Sequence, residues 1–322
     1  MILEWIGCTA AALALDCWLG DPRWLPHPVR GIGRAAAWLE PALVSVLGRT
    51  YAAGVVFTLL IVGGAAGAAA VLLALASSVS AWLHTAVATL LLYTAFAARD
   101  LDVEASGVSK ALRGGDLVAA RRQLSRIVGR DTEKLPTPEI VRGAVETVAE
   151  STLDGCISPL FYAIVGGPVG VIAFKASSTL DSLVGHRDER YERFGWASAR
   201  LDDVLGWIPA RLTRFWFPIA ALLCGLRARA SWRIAWRDGR CSPSPNAGIP
   251  EAAAAGALGV QLGGVNTYQG HAESRPLLGE PLRPLETADI DRAVQLMYTV
   301  TALAFLSLSS AALALSHGGF QP

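Results

Sequence analysis

Charge is what this chain has least of. Asp, Glu, Lys and Arg make up 17% of its 322 residues, while 52% are hydrophobic and mean hydropathy is +0.40. A soluble domain carries roughly a quarter charged residues, so the balance excludes an ordinary soluble globule and points to a membrane protein. Net charge is +1, with no basic arm and no aromatic–basic stripe, and no nucleic-acid partner is expected. GxxxxGK[ST], GxSxG, HExxH and the dinucleotide fingerprint are all missing, which removes P-loop, hydrolase-elbow, zincin and Rossmann chemistry. The five cysteines (Cys8, Cys17, Cys156, Cys224, Cys241) form no CxxC pair and have no His at ligand spacing. That excludes a zinc centre or a disulfide framework and leaves reduced, mostly buried thiols. A basic n-region and an A-x-A cleavage site are also lacking, so residues 2–19 are expected to be a retained segment rather than a signal peptide.

Long apolar runs are what the chain has in plenty. A helical span needs ~20 mostly apolar residues, and 2–19, 51–76, 81–98 and 293–315 meet that requirement. Two further runs are interrupted: 157–174 by Gly166-Gly167-Pro168, and 204–226 by Pro209, Arg211, Arg214 and Pro218. Lys and Arg are missing from 77–80 but plentiful in 20–50, 99–156, 175–203 and 227–292. The positive-inside rule therefore places 77–80 outside and the polar segments in the cytoplasm. That count closes only if 157–174 and 204–226 are embedded without crossing. The expected fold is all-α: one integral-membrane domain over 1–322, with about four transmembrane helices and one or two embedded or re-entrant segments. Helical cytoplasmic segments near 99–156, 175–203 and 227–292 would form the site. Within them Asp116 is expected to cap one helix, and Thr137 another with Pro138 at its first position. No useful strand pattern and no internal repeat are evident.

The stretch VETVAESTLDG (145–155) places Glu146, Glu150 and Asp154 four residues apart. At 100° per residue they share one helical side, opposite Ile140, Val141, Ala144, Val145 and Val148. A solvated amphipathic face explains this arrangement. So does a shared hard cation such as Mg²⁺, which takes oxygen ligands and bound phosphates. Like charges four residues apart cost a few tenths of a kcal/mol, and Arg142 is the one cation placed to help, beside Glu146. The spacing leaves both readings open.

A second constellation is KASSTLDSLVGHRDERYERFGWASARLDD (175–203). An inside loop with surface ion pairs accounts for its arginines. It accounts less well for Lys175 and Asp181, which border an apolar run where isolated ions are expensive. GRDT (129–132) offers Arg130 to a phosphate or carboxylate, or the Arg130-Asp131 pair to a plain helix-end turn. SPNAGIPE (244–251) places Asn246 and Glu251 around a Pro-Gly turn that a simple helix cap would also use. GDPRWLPHPVRGIG (20–33) follows the first span and contains His27.

These same stretches resemble the adenosylcobinamide-phosphate synthase family of cobalamin biosynthesis, CobD/CbiB. The resemblance runs from LDCWLGDPRWLPHPVRGIG through VETVAESTLDGCISPLF, FKASSTLDSLVG and RYERFGWASARLDDVLGWIPARLT to SPNAGIPEAAAAGALGVQLGG, nearly the whole chain. Ser151 and Ser178 stand where the family usually has Asn, and His186 where it usually has an aromatic. The resemblance implies a multi-pass protein of the inner cell membrane with its site facing the cytoplasm. It implies an ATP- and Mg²⁺-dependent ligase joining adenosylcobyric acid, a corrinoid, to an aminopropanol phosphate or free amino-alcohol, through an acyl phosphate. Glu146, Glu150 and Asp154 would hold Mg²⁺. Lys175 and Asp181 would be catalytic, with Asp181 a candidate further ligand. Lys175, Arg130 and Arg187 or Arg190 would neutralise ATP or the substrate phosphate, Asp131 would be a further substrate-binding residue, and Asn246 and Glu251 would orient the amine or corrinoid. Besides these substrates the expected partners are the lipid bilayer and, left open, further copies of the chain. A non-catalytic AmpE-like membrane sensor is the rival reading, though the acidic helix and the SPNAGIPE loop are both intact. A transporter would carry charges within full spans and a repeat between halves, and neither is evident.

Overall fold

Apolar runs free of proline and charge become long helices, and the short polar stretches between them become caps. A computed structural model describes residues 2–22, 24–186 and 188–318, with residues 317 and 318 as backbone only. In chain order the elements are α1 (Ile2–Leu19), α2 (Pro28–Leu47), α3 (Tyr51–Val79), α4 (Ala81–Tyr93), α5 (Ala98–Arg113), α6 (Leu117–Leu124) and α7 (Thr137–Thr152). A single π turn (Leu153–Ile157) leads to α8 (Ser158–Val184), α9 (Trp196–Leu223), α10 (Ala228–Arg237) and α11 (Gly248–Leu258). Strands β1 (Gln261–Tyr268) and β2 (His271–Gly279) and the last helix, α12 (Ala288–Gly318), complete the chain. It is an all-α multi-pass membrane protein with one small hairpin.

Among the described residues five helical stretches are long and apolar enough to cross a bilayer: Ile2–Leu19, Tyr51–Val79, Ala81–Arg113, Thr137–Val184 and Ala288–Ser316. Four contain the expected spans. The fifth contains 157–174, which sequence reading set aside as embedded. Its helix is broken where expected, since Gly167 takes a left-handed φ of 59° against the Trp5 ring. α9, with Pro209 and Pro218 inside it, is not among the five.

Caps follow from the hydroxyl and carboxylate residues. The Thr50 hydroxyl accepts the Ala53 N–H at 3.1 Å, and Ser80, the only residue between α3 and α4, accepts that of Leu83 at 3.1 Å. Asp116 caps α6 as expected, accepting from Ala119 N at 2.8 Å. At α7 the cap is Pro136, so Thr137 lies one residue inside the helix rather than at its cap.

The chain divides into two compact units. The first comprises 1–97, 158–206 and the end of α12. In it α3 packs on α2, α4 and α8, and α1 on α4 and α8. Phe57 and Phe194 meet with ring centroids 5.0 Å apart over Ala53, Ala176, Leu180 and Val184. Gly54 is required there, because a Cβ would fall 2.0 Å from the Phe194 carbonyl oxygen.

The second unit comprises 98–157 and 207–306, and it carries the site. α7 is its centre, burying Ile140, Val141, Ala144, Val145 and Val148 against α5, α6, α11 and β1, as the 3.6-residue period requires. β1 and β2 pair antiparallel from Gln261↔Gly279 to Tyr268↔His271, with a bulge between Leu262 and Gly264. This hairpin corrects the expectation of no strand. Seven successive residues of β2 are exposed, so no apolar alternation marks it. Its turn is built from Gln269 and Gly270, at φ of 50° and 82°.

Candidate functional site

Within the second unit, Glu146 and Glu150 of α7, Glu251 of α11 and Arg275 of β2 line a cavity of about 300 Å³, with Arg130 and Tyr268. α7 presents the first two because its apolar face is buried and its acidic face turns to the hairpin. The SPNAGIPE loop ends by starting α11, which places Glu251 in the first turn of that helix.

The acids differ in what holds them. One Glu146 oxygen lies 2.9 Å from Arg130 Nη1, and the other accepts the Gly263 N–H at 2.8 Å and lies 3.4 Å from Arg142 Nη1. Arg142 also donates to the Val265 carbonyl at 3.0 Å, to Asn266 Oδ1 at 2.9 Å and to the Gly263 carbonyl. Arg130 reaches the same Asn266 oxygen. Glu146 therefore serves as the latch between α7 and β1. No hydrogen bond or ion pair among the described residues engages the carboxylate of Glu150 or Glu251. Burial, and then the charges of Glu150 and Glu146, push the Glu251 carboxyl well above its ordinary value, with Arg275 opposing.

The structure distributes the expected site residues as follows. Glu146, Glu150, Glu251 and Arg130 come together. Asp154 does not line the cavity, because it sits in the π turn, whose wider pitch takes it off the line that spacing of 3.6 would keep. Among the described residues no three His, Cys, Asp or Glu side chains stand close enough to hold a metal ion, so the trio is not assembled at one point. Asp131 faces the hairpin turn, accepting the N–H groups of Gln269 at 3.1 Å and Gly270 at 2.8 Å. The buried Asn246 accepts from Arg211 at 2.7 Å instead of lining the cavity. Lys175, Asp181 and Arg190 belong to the first unit, where Arg190 pairs with Glu40 at 2.9 Å. Arg187 lies outside the described residues. Sequence reading missed Gly263, Asn266, Tyr268 and Arg275. Gly263-Gly264 and Gln269-Gly270, spaced as hairpin punctuation, were the available signal.

The family described as CobD/Cbib protein matches residues 9–297. The chain belongs to the CobD/CbiB family. A "Cobalamin biosynthesis protein CobD" of Geobacter metallireducens is 52% identical to this CobD/CbiB chain over 92% of it and 93% of the relative. One of Listeria monocytogenes is 42% identical over 93% and 96%. "Cobalamin biosynthesis protein CbiB" of Salmonella typhimurium is 41% identical over 98% of each. No solved structure matches this member of the family.

Proposed function

We propose that this chain acts in cobalamin biosynthesis as an ATP- and Mg²⁺-dependent ligase. It would join adenosylcobyric acid to (R)-1-amino-2-propanol phosphate, or to the free amino-alcohol, through an amide bond. One observation carries the reading: Glu150 and Glu251 line a cavity with no hydrogen bond or ion pair to their carboxylates among the described residues, beside Arg275 and Arg130, in a chain of this family.

The donor set suits magnesium in a reduced form. Mg²⁺ is usually held by one or two carboxylates plus phosphates and waters, not by an all-protein cage. Glu150 and Glu251 supply that pair, whereas Glu146 is occupied by two arginines and a backbone N–H. Held there, magnesium supplies charge neutralisation to the triphosphate.

The chain's own groups support the remaining chemistry. Forming an amide from a carboxylate near neutral pH is uphill, so the acid needs activation. The corrin carboxylate oxygen attacks the terminal phosphorus of ATP, releasing ADP and leaving an acyl phosphate. The amine nitrogen then attacks the acyl carbon, loses its proton, and inorganic phosphate departs. Arg275 stands to meet the phosphate charge, and Glu146 fixes Arg130, which lines the same cavity. A cavity of about 300 Å³ is too small for a corrin macrocycle, so a carboxylate arm would enter while the ring stays outside. Lys175 and Asp181 keep their implied catalytic roles as part of the proposal. The arginine-rich polar segments support an inner-membrane location with this cavity toward the cytoplasm.

Purified protein in proteoliposomes, given adenosylcobyric acid, ATP, Mg²⁺ and the aminopropanol phosphate, should form adenosylcobinamide phosphate and ADP. Omitting either ATP or Mg²⁺ should stop both products. Full turnover of Glu150→Gln across all Mg²⁺ concentrations would refute the metal role. A protein inactive under every condition would favour the sensor reading.

A further inference from the structure

Arg211, Arg214 and Arg240 all belong to the second unit, and none of them forms an ion pair among the described residues. Arg211 and Arg214 lie one turn apart on α9, and Arg240 follows α10. Arg214 is 4% exposed, and among the described residues its Nε has no hydrogen-bond partner and no carboxylate pairs with its guanidinium. What it touches is an aromatic face, with its guanidinium carbon 4.4 Å from the Trp236 ring centroid. Arg211 lies likewise 4.5 Å over Trp207, and it donates to two neutral acceptors, the Trp207 carbonyl at 3.2 Å and the amide oxygen of Asn246 at 2.7 Å. Burial lowers the pKa of both Arg211 and Arg214. The Arg240 charge lowers both further, and that of Arg211 also acts on Arg214. Nearby acids are already taken: Glu280 by Arg233 and Arg237, and Asp238 by Arg237 and the Gly279 N–H. A cation–π contact returns only a fraction of the cost of burying an unpaired, mutually repelling charge.

We propose that Arg211, Arg214 and Arg240, walled by Trp207 and Trp236, form a phosphate-binding site separate from the acidic cavity. Guanidinium forks match phosphate oxygens in geometry and in charge, whereas a lone carboxylate would satisfy one of the three. Two sources share that chemistry. α9 exposes Ile208, Phe215, Ile219, Leu222 and Leu223, and α10 exposes Trp232, an apolar and aromatic surface suited to the headgroup layer of a bilayer. A phospholipid phosphate is supplied from that layer, and a soluble phosphate ester from water.

The full-length protein in nanodiscs separates the sources. In pure phosphatidylcholine, inorganic pyrophosphate is titrated and thermal unfolding followed. In a parallel series phosphatidylglycerol replaces part of the phosphatidylcholine, and lipid retained after detergent extraction is counted by native mass spectrometry. Protection by pyrophosphate identifies a soluble phosphate ester, and preferential retention of phosphatidylglycerol a headgroup; either supports the site. Arg240→Gln, at an exposed position, should weaken the positive arm about tenfold, the loss of one charge-assisted contact. Glu150→Gln should leave it unchanged, which keeps this test independent of the acidic cavity. Absence of a response in both arms, or a wild-type response from both Arg240→Gln and Arg211→Gln, would overturn the proposal.

Discussion

The Cβ that Gly143 lacks would lie 2.0 Å from Nη2 of Arg130. The atom displaced is the far end of a flexible side chain, so Gly143→Ala should fold, with helix propensity gaining up to ~1 kcal/mol. Arg130 must then leave its 2.9 Å contact with Glu146, and the cavity wall moves. Ligation activity should fall about tenfold, the equivalent of one charge-assisted hydrogen bond. Circular dichroism should be unchanged. Full activity in this variant would show that the position of Arg130 does not matter.

Glu251 should trade stability for function. Its folded pKa is raised by burial and then by Glu150 and Glu146, so between the unfolded value near 4.5 and the folded one the native state binds more protons. Stability from this group is full below that window and is lost as pH rises through it. Glu251→Gln should therefore unfold at a higher temperature than wild type at about pH 8 without ligand, and at a similar one near pH 4. The same variant should lose amide formation. A lower melting temperature at pH 8 would contradict the strained-carboxylate account.

His27 carries the opposite slope. Its Nδ1 accepts the Val29 N–H at 3.2 Å as the cap of α2, a contact that requires an unprotonated nitrogen. Burial lowers its pKa, Asp21 opposes this, and Lys175 and Arg30 lower it further. Below the unfolded value of 6.5 the unfolded chain takes up the proton first. Stability is then full above that value and is lost as pH falls through the folded one. Between about pH 7.5 and pH 5, wild type should lose more stability than His27→Asn, since Asn caps without titrating. Thermal unfolding of both proteins at the two pH values measures the difference.

What the sequence made legible was whatever a local period encodes. The four long spans, the break at Gly167, the buried face of α7 and the Asp116 cap all depend on residues within a turn or two of one another. Contacts across the chain stayed hidden. Asp131 reads as a substrate-binding residue until its partner Gly270, 139 positions away, is in place. Glu146 resembles a metal ligand until Gly263 and two arginines close on it. Asp154 was misplaced for a local reason: a spacing of four presumes an α turn, and the chain makes a π turn there. The hairpin escaped because its exposed strand has no apolar alternation to betray it.

Glu146 and Glu150 sit one turn apart on α7 with different duties, and substitution should separate them. Glu146 bridges α7 to β1 through Arg130, Arg142 and the Gly263 N–H, so Glu146→Gln strips charge from a latch. Amide hydrogen exchange across 261–279 should quicken about tenfold or more, since weakening charge-assisted hydrogen bonds lowers the local opening free energy by ~1.4 kcal/mol or above. Its Mg²⁺ requirement should stay close to that of wild type. Glu150→Gln should do the reverse, leaving hairpin exchange unaltered while raising the Mg²⁺ concentration needed for half-maximal ligation about tenfold or more. If Glu146→Gln alone moved the Mg²⁺ dependence and left the hairpin protected, the latch and ligand assignments would have to be exchanged. The trio expected from spacing would then regain its first member.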